Sequence, residues 1–146
     1  SYSYEQMLSV MRVLKLSLSD ALQLIRRMIF NVLARNHDDH TKNFGFIYND
    51  GKWALSPAFD IAYSYKPGSP WVERHQLTIN GKRDDFVYND FEAAVSHSTV
   101  LIKQLPEIFD QVKDAVLNIN ERMIEAGVSE SQRVHVMDTL RLNIAR

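Results

Sequence analysis

The chain predicts a mainly α fold carrying one small β-hairpin, on three observations. Apolar residues recur at three- and four-residue intervals over long stretches near both ends. A single tract between them alternates instead, around the turn signal Asn49-Asp50-Gly51. The composition, 45% hydrophobic and 24% charged over 146 residues, is that of one ordinary globular domain. A chain of this length buries roughly two-thirds of its unfolded surface, so a core can form without disulfides or metal staples.

Tyr4, Met7, Leu8, Met11 and Leu14 share one helical face and predict an opening amphipathic helix of about three turns. Ser17-x-x-Asp20 has the capping-box form and starts a second helix. Its stripe of Leu22, Ile25, Met28, Ile29, Val32 and Leu33 is wide enough for a central position. After Asn43 the period becomes two. Phe44 to Tyr48 and Lys52 to Leu55 flank Asp50-Gly51, a pair that accepts the positive φ angles of a tight hairpin turn. Ser64 to Pro70 has loop composition, and His75 to Asn80 reads as a short strand before a turn at Gly81. Asn89 or Asp90 caps a short helix reaching about Ser96. A longer helix then runs from near Val100 to Ala126, with Pro106 as its break or fresh first turn and Gly127 as its stop. Ser129-x-x-Gln132 opens a last helix carrying Val134, Met137, Leu140, Leu142 and Ile144. No repeat or internal boundary divides 1–146, which reads as one domain.

Composition excludes several functions. With no Cys there is no disulfide, thiolate nucleophile or thiolate-held zinc, which fits a reducing compartment. No apolar run approaches the roughly 20 residues of a membrane span. A cytoplasmic protein with no membrane partner is expected. The net charge of −1 disfavours sequence-independent nucleic-acid binding, which depends on neutralising many phosphates. Arg26-Arg27 and Lys82-Arg83 read as solvated faces. The chain begins at Ser1 and enters a helical pattern almost at once, so it is expected to be a piece of a longer protein.

The chemistry concentrates in Asn36-His37-Asp38-Asp39-His40-Thr41-Lys42-Asn43 and in Leu55-Ser56-Pro57-Ala58-Phe59-Asp60. An acid followed five positions later by an amide, then by a second acid beyond a hairpin, is how kinase-fold enzymes arrange a base and a magnesium site. Phosphoryl transfer needs an acid to accept the proton of the attacking hydroxyl and hard oxygens to hold Mg²⁺. Asp38 suits the first role. Asn43 and Asp60 suit the second, since an amide supplies oxygen without excess negative charge against the phosphates. Asp39 is the rival base, but its interval to Asn43 is one residue short, and it reads as a loop-stabilising acid. His40 and Lys42 on the same loop could face phosphates or the base. His75, His97 and His135, far along the chain, read as structural or surface residues. The five Met read as core fillers, Trp53 as hairpin packing, and Trp71 is a candidate for a partner surface.

At these residues the chain resembles the HipA family of bacterial serine/threonine kinases, toxins of toxin–antitoxin operons. The resemblance rests on Asn31-Val32-Leu33, on Asn36-x-Asp38-x-His40-x-Lys42-Asn43 and on Leu55-Ser56-Pro57-Ala58-Phe59-Asp60-Ile61. It covers Ala21 to Tyr65 firmly, and Gln76 to Gly81 with the closing helices more loosely. It implies a protein-kinase-like C-lobe with its catalytic loop at 36–43. Asp38 would be the proton acceptor, and Asn43 and Asp60 the Mg²⁺ ligands. His40, Thr41, Lys42, Asn43, Phe59 and Asp60 would contribute to the ATP site. It also implies a protein substrate, in known cases an aminoacyl-tRNA synthetase, and a small helix-turn-helix antitoxin through which any DNA contact would be indirect. Asn36-His37-Asp38 replaces the His-Arg-Asp order of eukaryotic kinases and leaves the role of His37 open. No Gly-rich phosphate loop, nucleotide-pairing Lys strand or N-lobe precedes the loop. The fragment alone is therefore expected to be inactive, its N-lobe coming from the same or a separate chain. Two other readings compete. His37-Asp38-Asp39-His40 suggests a metal-dependent HD phosphohydrolase, but no earlier His supplies the required ligand. A non-catalytic module docking an antitoxin or an N-lobe is the binding alternative.

Overall fold

The computed structural model describes residues 1–146. Its helices are α1 (Tyr4–Val13), α2 (Leu18–Leu33), α3 (Tyr88–Ala94), α4 (Thr99–Leu117), α5 (Ile119–Glu125) and α6 (Glu130–Thr139). Between α2 and α3 lie a 3-10 turn at Thr41–Asn43 and a two-stranded antiparallel hairpin, β1 (Phe46–Asn49) and β2 (Lys52–Leu55). The mainly helical architecture with one small hairpin is as the sequence predicts.

α2 is the central element because its apolar stripe is nearly continuous. Leu24, Ile25, Met28, Ile29, Val32 and Leu33 are buried against α4, which contributes Leu101, Leu105, Ile108, Phe109, Val112 and Val116. At roughly 1.5–3 kcal/mol per fully buried large apolar side chain, this seam supplies the main drive for folding. α1 closes one side with Tyr4, Met7, Leu8 and Met11. Ser3 and Gln6 form a reciprocal capping box at its start.

The second capping box forms only in part. The Ser17 hydroxyl accepts the Asp20 N–H at 3.1 Å, but the Asp20 carboxylate turns away and accepts the Leu55 N–H at 3.1 Å. Arg27, two turns further along α2, donates to the Ser56 carbonyl at 2.5 Å. The two side chains tie the exit of the hairpin to α2. Arg27 is therefore buried rather than part of a solvated face. Burial lowers its pKa while Asp20 works the other way. Lys82 and Arg83 are likewise engaged: Lys82 pairs with Asp90 at 3.0 Å, and Arg83 donates to the His75 carbonyl at 2.6 Å.

The hairpin has the predicted turn, with φ +51° at Asp50 and +76° at Gly51, and pairs Phe46 with Leu55 through to Asn49 with Lys52. Tyr48 and Trp53 lie across from each other with ring centroids 5.0 Å apart, and both are exposed. Trp71 is 75% exposed.

Elsewhere the structure corrects the boundaries. Residues 75–80 form no strand; Ile79 and Lys82 bridge around an Asn80-Gly81 turn, and Thr78 bridges to Ser3. α3 begins at Tyr88, before either expected cap, and Asp90 reaches back from inside the helix to accept the Val87 N–H at 2.8 Å. Pro106 sits inside α4 without ending it. The roughly 3 kcal/mol cost of an interior Pro is outweighed by the six buried apolar side chains of that helix. The break falls instead at Asn118, between α4 and α5. α6 ends at Thr139, so Leu140 and Ile144 are buried from an irregular tail rather than from a helix face.

Candidate active site

α2 delivers the chain to the loop through a reversal that sequence inspection does not suggest. Arg35 adopts φ +57°, Asn36 N–H donates to the Asn31 carbonyl at 2.9 Å, and Arg35 N–H to Val32 at 3.4 Å. This is a Schellman closure with Arg where Gly is usual, and left-handed backbone at such a residue costs about 1–2 kcal/mol. The guanidinium lies over the Tyr65 ring at 4.1 Å and its Nε donates to the Thr139 carbonyl at 2.6 Å, contacts that hold the strained turn.

Beyond the turn, burial alternates. Asn36, His37 and Asp39 are buried, whereas Asp38 and His40 are half-buried. The buried residues form a connected polar network. Asn36 Nδ2 donates to Asn31 Oδ1 at 3.0 Å, and Asn31 Nδ2 to the Tyr4 hydroxyl at 3.0 Å. Tyr4 in turn donates to Asp39 Oδ2 at 2.8 Å. Asp39 also accepts from His75 Nδ1 at 2.9 Å, from Gln76 N–H at 2.8 Å and from Leu77 N–H at 3.3 Å. Burial, and then the adjacent Asp39 charge, raise the Tyr4 pKa well above its usual value and keep its proton in place. Asp39 is thus saturated with donors and has no oxygen turned to solvent.

His37 occupies the opposite wall. Its Nδ1 lies 3.0 Å from the Val72 carbonyl, so that nitrogen carries the proton, and Nε2 faces Arg141 Nη2 at 3.5 Å. Its ring lies 4.2 Å from that of His75. Burial, then the neighbouring His75, Arg141 and Arg35, lower its pKa to about 3 and keep it neutral. Arg141 is itself paired with Asp84. Burial opposes ionisation of Asp84, but Arg141 holds its carboxyl below the usual range.

Between these anchors Asp38 has His40 beside it, whose Nε2 lies 3.5 Å from Oδ1. Asn43 closes the loop by donating Nδ2 to the Asp38 carbonyl at 3.0 Å. Thr41 and Lys42 are exposed on the 3-10 turn. Phe59 and Asp60 follow β2, and the hairpin brings that segment back to the loop's end. Ser56 N–H donates to the Gly45 carbonyl at 2.8 Å, extending the ladder past Leu55. A Cβ on Gly45 would lie 3.1 Å from Ser56 Oγ and 3.8 Å from the Phe59 ring. Asp60 is exposed, has φ +54°, and carries no ion pair or hydrogen bond. Beside Thr41 an open cavity of about 450 Å³ is lined by Ser3, Gln6, Met7, Val10, Phe44 and Phe46.

The donor set suits a hard divalent cation. The Asn43 amide nitrogen is committed to the Asp38 carbonyl, which leaves its Oδ1 free, and the Asp60 oxygens are free as well. There is no cluster of three or more His, Cys, Asp or Glu side chains spaced as metal ligands. Two protein oxygens still accord with Mg²⁺, which keeps water and phosphate oxygens in its shell.

The supporting residues missed by sequence inspection are Tyr4, His75 and Arg141; Asn31 is singled out only as part of the family resemblance, without a role. His75, expected to stand apart, lies against Asp39. Tyr4 looks like one more apolar position of a helical stripe, and none of the three carries a local signal for this role. His97 and His135 are both exposed and away from the loop.

The profile of the HipA-like C-terminal domain matches residues 1–120. Over 46 residues the chain is 46% identical to the protein described as "Putative kinase Y4dM" of Sinorhizobium fredii (strain NBRC 101917 / NGR234). That stretch is 31% of this chain and 11% of that relative, so the chain spans a small part of the longer protein. No helix is long and apolar enough to cross a membrane. With a match over most of its length, the chain belongs to the HipA-like C-terminal domain family, a kinase-related family.

Proposed function

We infer that this chain is the catalytic C-lobe of an ATP- and Mg²⁺-dependent serine/threonine protein kinase, acting as the toxin of a toxin–antitoxin pair. The observation that carries the reading is the division of labour in the loop. Asp39 is consumed by four hydrogen-bond donors, while Asp38, next to it, retains a carboxylate open to a substrate hydroxyl.

Asp38 orients the attacking hydroxyl and accepts its proton; His40, 3.5 Å away, limits the carboxylate's swing. Asn43 Oδ1 and Asp60 would hold Mg²⁺. When bound, the ion neutralises charge developing on the phosphates. Lys42, exposed and free of ion pairs, adds a compact positive charge to the phosphate side. The cavity between α1 and the 3-10 turn, apolar at Phe44, Phe46 and Met7 and polar at Ser3 and Gln6, suits the base and sugar of ATP. Phe59, against the hairpin's foot, borders the metal side.

Exposed Ile47, Tyr48 and Trp53 on the hairpin form a surface for an N-lobe, from the same or a separate chain. A helix-turn-helix antitoxin and a protein substrate such as an aminoacyl-tRNA synthetase are the partners this reading carries.

The test is phosphorylation by the full-length protein with Mg²⁺-ATP, read by mass spectrometry. Asp38→Ala is expected to lower the rate by about 10²–10⁴-fold while ATP binding persists. Asp60→Ala is expected to weaken Mg²⁺-ATP binding itself. Full activity in Asp38→Ala, or unchanged nucleotide affinity in Asp60→Ala, refutes the assignment.

A further inference from the structure

Arg35 and Asp60 flank the two loops of the candidate site, and both have left-handed backbone without glycine. Such conformations persist only where surrounding contacts over-determine them. The contacts that hold Arg35 reach one short stretch, Thr139–Arg141, at the end of α6, and the segment after Asp60 meets the same stretch through Tyr63.

The contacts reach both loops. Arg141 N–H donates to the Leu33 carbonyl at the end of α2, at 3.0 Å. The Thr139 carbonyl accepts from Arg35 Nε at 2.6 Å, and the Arg141 guanidinium faces His37 while pairing with Asp84. On the other side, the Tyr63 hydroxyl lies 2.7 Å from Thr139 Oγ1. Thr139 Oγ1 is within bonding distance of the Val136 carbonyl, 2.9 Å, which takes its proton, so Tyr63 is the donor. Tyr63 is three residues past Asp60. The two loops also meet directly behind the site, where Ser64 N–H donates to the Arg35 carbonyl at 2.9 Å and Asn36 bridges Ser64. The stretch lies outside the residues matched by the family profile, 1–120.

We propose that Thr139 and Arg141, with Tyr63, are positioning residues: a clamp that sets the Asp38 loop and the Asp60 loop in register with each other. None of the three touches a reacting atom. They act by fixing the separation of the proton acceptor from the metal-side acid, a distance on which transfer depends steeply because a misplacement of about 1 Å can cost about a hundredfold. The role in transfer rests on the kinase reading above; the mechanical link between the loops does not.

The experiment uses full-length protein carrying Tyr63→Phe, Thr139→Val, Thr139→Ser or Arg141→Lys. Tyr63→Phe removes the bond to Thr139 alone, and Thr139→Val removes that bond together with the Oγ1 bond to the Val136 carbonyl, each with little change of shape. They are expected to lower kcat about tenfold per folded molecule and to raise the Mg²⁺ concentration needed for half-maximal rate, with the KM for the protein substrate unchanged. Thr139→Ser, which restores the oxygen, is expected to recover the rate. Arg141→Lys keeps the charge but not the fork, and is expected to fall between. A purely structural role would instead lower the melting temperature and leave kcat and the Mg²⁺ requirement within twofold of wild type, which overturns the proposal. Amide hydrogen exchange gives a readout independent of activity. Tyr63→Phe is expected to speed exchange at Ser64 and Asn36 together. Unchanged exchange at both overturns the clamp even in an active enzyme. If wild type transfers no phosphate, the kinase reading fails, and the exchange result alone decides the clamp.

Discussion

The two loops that make up the candidate site are built in opposite ways. In residues 36–43 the buried Asn36 and Asp39 join Asn31, Tyr4 and His75 in a hydrogen-bonded polar scaffold, while Asp38 and residues 40–43 reach the surface. Residues 56–60 cross the surface, held at Ser56 by Arg27 and Gly45, and end in an exposed Asp60 without a partner. Under the proposed kinase reading, the difference suits the two tasks. A proton acceptor must be rigid to within a fraction of an ångström, whereas a metal ligand completes its shell with ion, water and phosphate and is ordered by them.

The largest expected effect tests the scaffold. Asp39→Ala removes the acceptor for four donors and is expected to destabilise the domain by about 3–5 kcal/mol, measured by urea unfolding. Asp60→Ala should move stability by less than about 0.5 kcal/mol. Equal losses from the two would dissolve the contrast.

This contrast also marks what the sequence could disclose. The α2 stripe and the Asp50-Gly51 turn were legible from period and turn chemistry because both are local signals, and spacing is likewise what singles out Asp38, Asn43 and Asp60 as candidates. The scaffold was not legible. Tyr4 bonds Asp39 across 35 residues and His75 bonds it across 36, and no periodicity records such a pairing. Pro106 misled because helix propensity is local, whereas the core that carries α4 through it is assembled from α2. Leu140 and Ile144 extend the apolar spacing of α6, but a tail can bury such residues as well as a helix can.

Two intermediate predictions sharpen the comparison. Tyr4→Phe leaves Asn31 and Asp39 each short of one partner and is expected to cost about 1–2 kcal/mol in denaturant unfolding. His37 makes the scaffold sensitive to acid. Its pKa of about 3 in the folded chain lies below the ordinary value near 6.5, so the unfolded chain binds the proton first. Its contribution is full above pH 6.5 and is lost as pH falls towards 3, at up to about 1.4 kcal/mol per pH unit. His97, also lowered by burial and by Arg12, adds in the same direction, so the measurement is a difference. Between pH 6 and pH 5, His37→Gln should show a flatter decline in unfolding free energy than wild type. Parallel declines would remove His37 from the scaffold.

The smallest effect belongs to the open loop. Asp60→Gly releases left-handed strain but gives the unfolded chain more freedom, and is expected to raise stability by at most about 1 kcal/mol while abolishing Mg²⁺-dependent transfer. A marked loss of stability would show that Asp60 is held as firmly as Asp39.

The placement of Trp53 and Trp71 has an optical consequence. Both indoles stand at the surface, Trp53 against Tyr48 on the hairpin and Trp71 at 75% exposure, and the core contains no other tryptophan. Their fluorescence in the native chain is therefore expected to be close to that of wet indole. Melting of the α2–α4 seam should therefore leave the emission wavelength nearly unchanged, while any protein that settles on the hairpin should shift it to the blue.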